Sequence, residues 1–76
     1  MNNSRRQELY NVQKGLGELR DKLESIMNDE QEGFDNLSEG LQMTMRGAAM
    51  EEAVDNMNSA IEAIDEAIDY IDDAAV

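Results

Sequence analysis

The stretch GAAMEEAVDNMNSAIEAIDEAIDYIDDAAV, residues 47–76, decides the fold. Its apolar residues Met50, Val54, Met57, Ile61, Ile64, Ile68, Ile71 and Ala75 follow one another in steps of 4, 3, 4, 3, 4, 3 and 4. Alternating steps of four and three are the heptad rhythm, so the segment is a helix with one apolar stripe. The same stretch carries nine carboxylates and no Lys or Arg. They are Glu51, Glu52, Asp55, Glu62, Asp65, Glu66, Asp69, Asp72 and Asp73. The helix is therefore apolar along one side and anionic along the other.

Upstream, Leu9, Val12, Leu16, Leu19, Leu23 and Ile26 step by 3, 4, 3, 4 and 3, with Tyr10 and Met27 beside the stripe. This is a second amphipathic helix, expected at about residues 4–35. Ser4 followed by Gln7 reads as a capping box at its start. Gly15 and Gly17 lie inside it, each costing about 1 kcal/mol against Ala; local tolerance, close packing and a hinge are the open readings. The pattern breaks at Asn36-Leu37-Ser38. Ser38 and Gly40 favour a turn or a single helical turn, giving a connection at about 36–44. Phe34, Leu37 and Leu41 are expected to fold over the end of the bundle. Thr44 is the expected N-cap of the acidic helix, at about 45–74.

Two long amphipathic helices with a modest connection imply an all-α chain of one domain, an antiparallel two-helix hairpin of coiled-coil type. Net charge supports the antiparallel order. Residues 1–28 carry +1, residues 29–46 carry −4 and residues 47–76 carry −9. Arg5 and Arg6 sit at the positive end of the first helix, and Asp69, Asp72 and Asp73 at the negative end of the second. Each is unfavourable alone and answers the other when the ends meet. Lys14 is expected opposite Glu62–Glu66 and Lys22 opposite Asp55. The two apolar stripes form the helix-packing or dimer seam. Ala53, Ala60, Ala67 and Ala74 widen the second stripe, so a homodimer forming a four-helix bundle is expected. A monomeric hairpin closed by its connection is the alternative. Met43, Met45 and Met50 read as core filler or as an adaptable binding surface.

Composition removes most chemistry. The 76 residues contain no His, Cys or Pro, and the aromatics are Tyr10, Phe34 and Tyr70. The commonest general base and transition-metal ligand is missing. No phosphate loop or nucleophile set is present, so no enzyme, catalytic residue, metal site or cofactor is expected. Asn28, Glu30, Glu32, Gly33 and Glu39 fall at calcium-loop spacings, yet the long carboxylates stand where short ligands belong. No apolar run has the roughly 18 residues of a membrane span, and no signal peptide opens the chain. A soluble, cytoplasmic protein is expected. The net charge of −12 disfavours nucleic acid and anionic membranes and favours basic protein surfaces.

The segments EGFDNLSEGLQ (32–42), Met45-Arg46-Gly47 and MEEAVDNM (50–57) resemble small acidic helical proteins encoded by phages and integrative elements of Gram-positive bacteria. The resemblance covers roughly residues 29–73 and implies a mobile-element setting, in the cytoplasm of a bacterial host cell. That group often has Pro after the Leu, where this chain has Ser38. Carboxylates at helical spacing also resemble the phosphate array of a nucleic-acid strand. The expected function is a small acidic binding protein that occupies a basic surface of a host protein, such as a nucleic-acid-processing enzyme. A nucleic-acid mimic inhibiting a defence nuclease is the sharpest form of it. The alternatives are a structural or assembly module, and an acidic face that only confers solubility.

Overall fold

A computed structural model describes residues 1–76 as three helices and no strands: α1 Asn3–Asp35, α2 Glu39–Gln42 and α3 Met45–Ala74. α1 and α3 lie side by side and antiparallel. Gln13 reaches Asp72, Arg20 reaches Asp65, and Gly33 lies against Met50. The molecule is a rod of 58 × 15 × 11 Å.

Local chemistry sets the helix ends. Asn2 caps α1, its side-chain oxygen accepting from Arg5 N at 2.8 Å. Ser4 is therefore inside the helix and its capping box is not used. Asn is at least as good a cap as Ser, and starting earlier lets the Arg6 guanidinium donate to Asn3 Oδ1 at 2.7 Å. Thr44 caps α3, accepting from Gly47 N at 3.4 Å. Ser38 caps the single turn of α2, accepting from Leu41 N at 3.4 Å.

The elbow between the long helices turns on one glycine. The Gln42 amide donates to Phe34 O at 3.2 Å and ties α2 to the end of α1. α2 then lies against the first turn of α3. A β-carbon on Gly47 would stand 2.2 Å from the Gln42 carbonyl oxygen, and 2.6 and 2.8 Å from its carbonyl carbon and Cα. Only glycine allows that approach, and Gly47 is one of the two buried residues of the chain. Phe34 and Leu37 are half-buried here, whereas Leu41 is 54% exposed and stays outside the plug. Met43 and Met45 are 89% and 91% exposed, so they fill no core. Residues 28–35 continue α1, so the calcium-loop spacing belongs to a helix and cannot wrap an ion.

The core is a single seam. On α3 and its C-cap the residues Met50, Val54, Met57, Ile61, Ile64, Ile68, Ile71 and Ala75 are all half-buried or buried, with Ile61 at 4% exposure the most enclosed. On α1 the half-buried line is Leu9, Gln13, Leu16, Arg20, Leu23, Met27, Glu30 and Phe34, again in steps of four and three. Val12, Leu19 and Ile26 are not on it. They are 50%, 59% and 58% exposed, one flank away. The register chooses Gln13 and Arg20 instead, because each finds a polar partner on α3.

The pairing level also differs from the sequence expectation. α3 spends its first turn on α2 and reaches α1 only near Met50, opposite Gly33. Lys14, next to Gln13, therefore lies at the level of Asp72 rather than Glu62–Glu66. Neither Lys14 nor Lys22 forms an ion pair. Arg5 and Arg6 share an end of the rod with Asp69, Asp72 and Asp73 but also form none. At that end the Met1 amine donates to Val76 O at 3.3 Å.

Candidate protein-binding face

A heptad has seven positions around the helix, and α3 divides them by charge. Two seam positions face α1. The three contiguous positions on one side hold every acid: Glu51 with Asp65 and Asp72, then Asp55 with Glu62 and Asp69, then Glu52 with Glu66 and Asp73. The two remaining positions hold Ala53, Ala60, Ala67 and Ala74, and Ala49, Asn56, Ala63 and Tyr70. The acids thus form one arc about 100° wide, not a belt around the helix.

Eight of the nine are exposed, and Asp65 is half-buried. Asp65 alone meets a cation. Arg20 Nε donates to its Oδ1 at 2.8 Å, and a second guanidinium nitrogen to its Oδ2 at 3.2 Å. Arg20 also pairs with Glu24 and lies 3.7 Å from Asp21. The hydrogen bond that Arg20 donates to Asp65 holds the Arg20 pKa above its usual value; desolvation opposes this and Glu24 adds to it. The Asp72 carboxylate accepts from the Gln13 amide at 2.6 Å, and Glu62 accepts from the Asn58 amide at 3.3 Å. Glu51, Glu52, Asp55, Glu66, Asp69 and Asp73 have no side-chain partner. They stand in water, spaced by helical geometry and compensated by nothing.

Nine carboxylates over Glu51–Asp73 occupy about 33 Å of helix axis at 1.5 Å per residue. That is one charge per about 4 Å, close to the 3.4 Å phosphate spacing along one nucleic-acid strand. Sequence reasoning missed the extension of this surface onto α1. Glu24, on the flank beside Asp65, and Asp21 and Asp29 line a shallow polar groove with Ser25 and Asn28. The visible signal was the cluster of acids at residues 18–32 once Arg20 is given to the seam.

No family model, curated protein or solved structure matches the chain. No helix is long and apolar enough to cross a membrane.

Proposed function

We propose that this chain is a small acidic binding protein whose α3 face occupies the basic surface of a host protein. The observation that carries the reading is the segregation of nine acids onto one arc, with only Asp65 compensated by a cation. A face needed for solubility alone would be more stable with interspersed Lys at i,i+4. An uncompensated row on a long helix instead offers a partner a ready array of acceptors. Its field steers a basic partner into contact and raises the association rate at low salt. The spacing suits a groove selected for phosphates, so the partner class is a nucleic-acid-processing protein, a defence nuclease among them. The mobile-element setting that the sequence resembles fits such a target in the cytoplasm of a bacterial host. Two hairpins pair in this reading as a four-helix bundle.

The experiment is a tagged pull-down from bacterial host lysate, washed in rising salt, with mass spectrometry of each step. The comparison variant combines Glu62→Gln, Glu66→Gln, Asp69→Asn and Asp73→Asn and keeps Asp65, which the hairpin itself uses. A nucleic-acid enzyme released at moderate salt, and absent with the variant, supports the reading. A partner retained equally by both proteins removes it.

A second reading rests on a different observation. Val12, Leu19 and Ile26 are exposed by half or more and lie in line. An assembly module would keep such a row for other helices. In that case the four acid changes leave function intact, and a charge placed in the apolar row abolishes it.

A further inference from the structure

The rod has a second long face, opposite the acids. The Arg20–Asp65 and Gln13–Asp72 bonds mark one flank of the hairpin. On the other flank α1 presents Val12, Leu19 and Ile26, and α3 presents Ala53, Ala60, Ala67 and Ala74. Both rows repeat every seven residues. Val12, Leu19 and Ile26 are 50%, 59% and 58% exposed, and Tyr70 beside the alanines is 65% exposed. None of the nine acids of α3 lies on this side.

We infer that this face is covered by a second copy of the chain, with Val12, Leu19 and Ile26 of each copy seated on the partner's alanine row. The inference rests on the four-helix bundle reading and gives it an interface and an orientation.

Three observations select a second copy over another occupant. The first is self-complementarity, which a two-fold interface demands. A bulky row lies beside a small row with the same repeat. A two-fold axis along the rod sets each bulky row on the partner's small row and keeps every neighbouring helix pair antiparallel. That axis preserves height along the rod. With Arg20 level with Asp65, Leu19 comes opposite the partner's Ala67, Ile26 opposite the partner's Ala60 and Val12 opposite the partner's Ala74. The second is charge. The chain carries −12, so two copies repel unless their acids point apart. Meeting through this face directs the two acidic arcs to opposite sides of the bundle. The third is area. The broad side of the rod measures 58 × 15 Å, or roughly 870 Å². A stable protein–protein interface takes about 800 Å² from each partner. The hairpin encloses only Ile61 among its apolar residues, so it has most to gain from a second layer.

The test is sedimentation equilibrium of the wild type and of Leu19→Glu, with circular dichroism to check helicity. Leu19 is outside the hairpin seam, so the variant keeps its helices. The expected wild type is a dimer of the 8.5 kDa chain. Leu19→Glu is expected to raise the dimer Kd by at least about 100-fold, since each dimer loses two buried leucines. The chain has no Cys, so disulfide trapping has no background. Leu19→Cys protein mixed with Ala67→Cys protein should oxidise to a covalent dimer, and the same mixture with Glu66→Cys should not. A dimer that survives Leu19→Glu, or equal trapping at both sites, overturns the assigned face and leaves the bundle reading standing. A wild type that is monomeric at high concentration overturns both. Neither result touches the acidic-face reading, which the pull-down decides.

Discussion

Replacing Gly47 by Ala tests the elbow and the physical account of it. Two effects of opposite sign compete. Alanine is the better helix former by up to about 1 kcal/mol, so propensity alone makes the change stabilising. Sterics oppose it. The new β-carbon would lie 2.2 Å from the Gln42 carbonyl oxygen, more than an ångström inside ordinary contact, and 2.6 and 2.8 Å from two more atoms of Gln42. All three are backbone atoms, so no side-chain rotation relieves the overlap. Either α2 moves off α3 as a unit, or the first turn of α3 unwinds. Overpacking of this kind costs about 1–3 kcal/mol. Displacing α2 also strains the bond from the Gln42 amide to Phe34 O, worth about 1 kcal/mol. The net expectation is a loss of about 1–3 kcal/mol, or a fall in Tm of roughly 5–20 °C for a chain of this size. Thermal unfolding followed by circular dichroism measures it. The controls are Gly15→Ala, Gly17→Ala and Gly40→Ala, where the added β-carbon meets nothing within 4 Å. Each of these should raise Tm. If Gly47→Ala is as stable as Gly15→Ala, the close approach at the elbow is not what holds glycine there.

Other substitutions probe the remaining elements. Asn2→Ala should cost about 1 kcal/mol of cap energy while Ser4→Ala is nearly neutral, the reverse of what a capping box at Ser4 requires; urea titration of both separates them. Ile61→Ala should cost about 2–4 kcal/mol and abolish cooperative melting, whereas Met45→Ala, at a 91% exposed site, should stay within about 0.5 kcal/mol. Asp65→Asn should lower Tm and Glu66→Gln should not, because only Asp65 answers a cation; matched melting curves decide it. Raising NaCl to roughly 0.5 M should raise Tm, since screening relieves the self-repulsion of a −12 chain; a falling Tm would mean that the Arg20 pairs dominate.

The acidic helix was legible because its seam is wholly apolar and its charges keep to one arc. Every seam residue from Met50 to Ala75 lies on the packed side. The first helix was legible in part. Leu9, Leu16 and Leu23 were placed by apolarity, but the alternate positions went to Val12, Leu19 and Ile26 when the seam takes Gln13, Arg20 and Met27. Apolarity cannot rank an arginine above a leucine. What can is a carboxylate at the right height on the other helix, and that needs the register. One local sign existed: the line through Gln13, Arg20 and Met27 continues to Phe34, and the line through Val12, Leu19 and Ile26 ends at Gly33. The heights of Lys14, and of Lys22, which lies two residues from Arg20 and so near the level of Asp65 rather than Asp55, were misjudged for a related reason. Counting inward from the connection supposes that both helices start packing at their ends, and α3 does not. The acids of the candidate face were all readable. Which of them the fold consumes was not, because Asp65 differs from Glu66 only through Arg20.

Arg20 also bears on the errors the chain must avoid. An apolar heptad seam is nearly indifferent to sliding by seven residues, since Leu16 or Leu23 packs as well against one isoleucine as the next. Slid one way, Arg20 would face Asn58 and lose its charge partner. Slid the other way, it would gain Asp72, while Asp65 would come against the thioether of Met27. Both mispaired hairpins lose something that the apolar residues cannot replace. A half-buried arginine in a mostly apolar seam thus acts as a proofreading contact, favouring one alignment of a repetitive sequence.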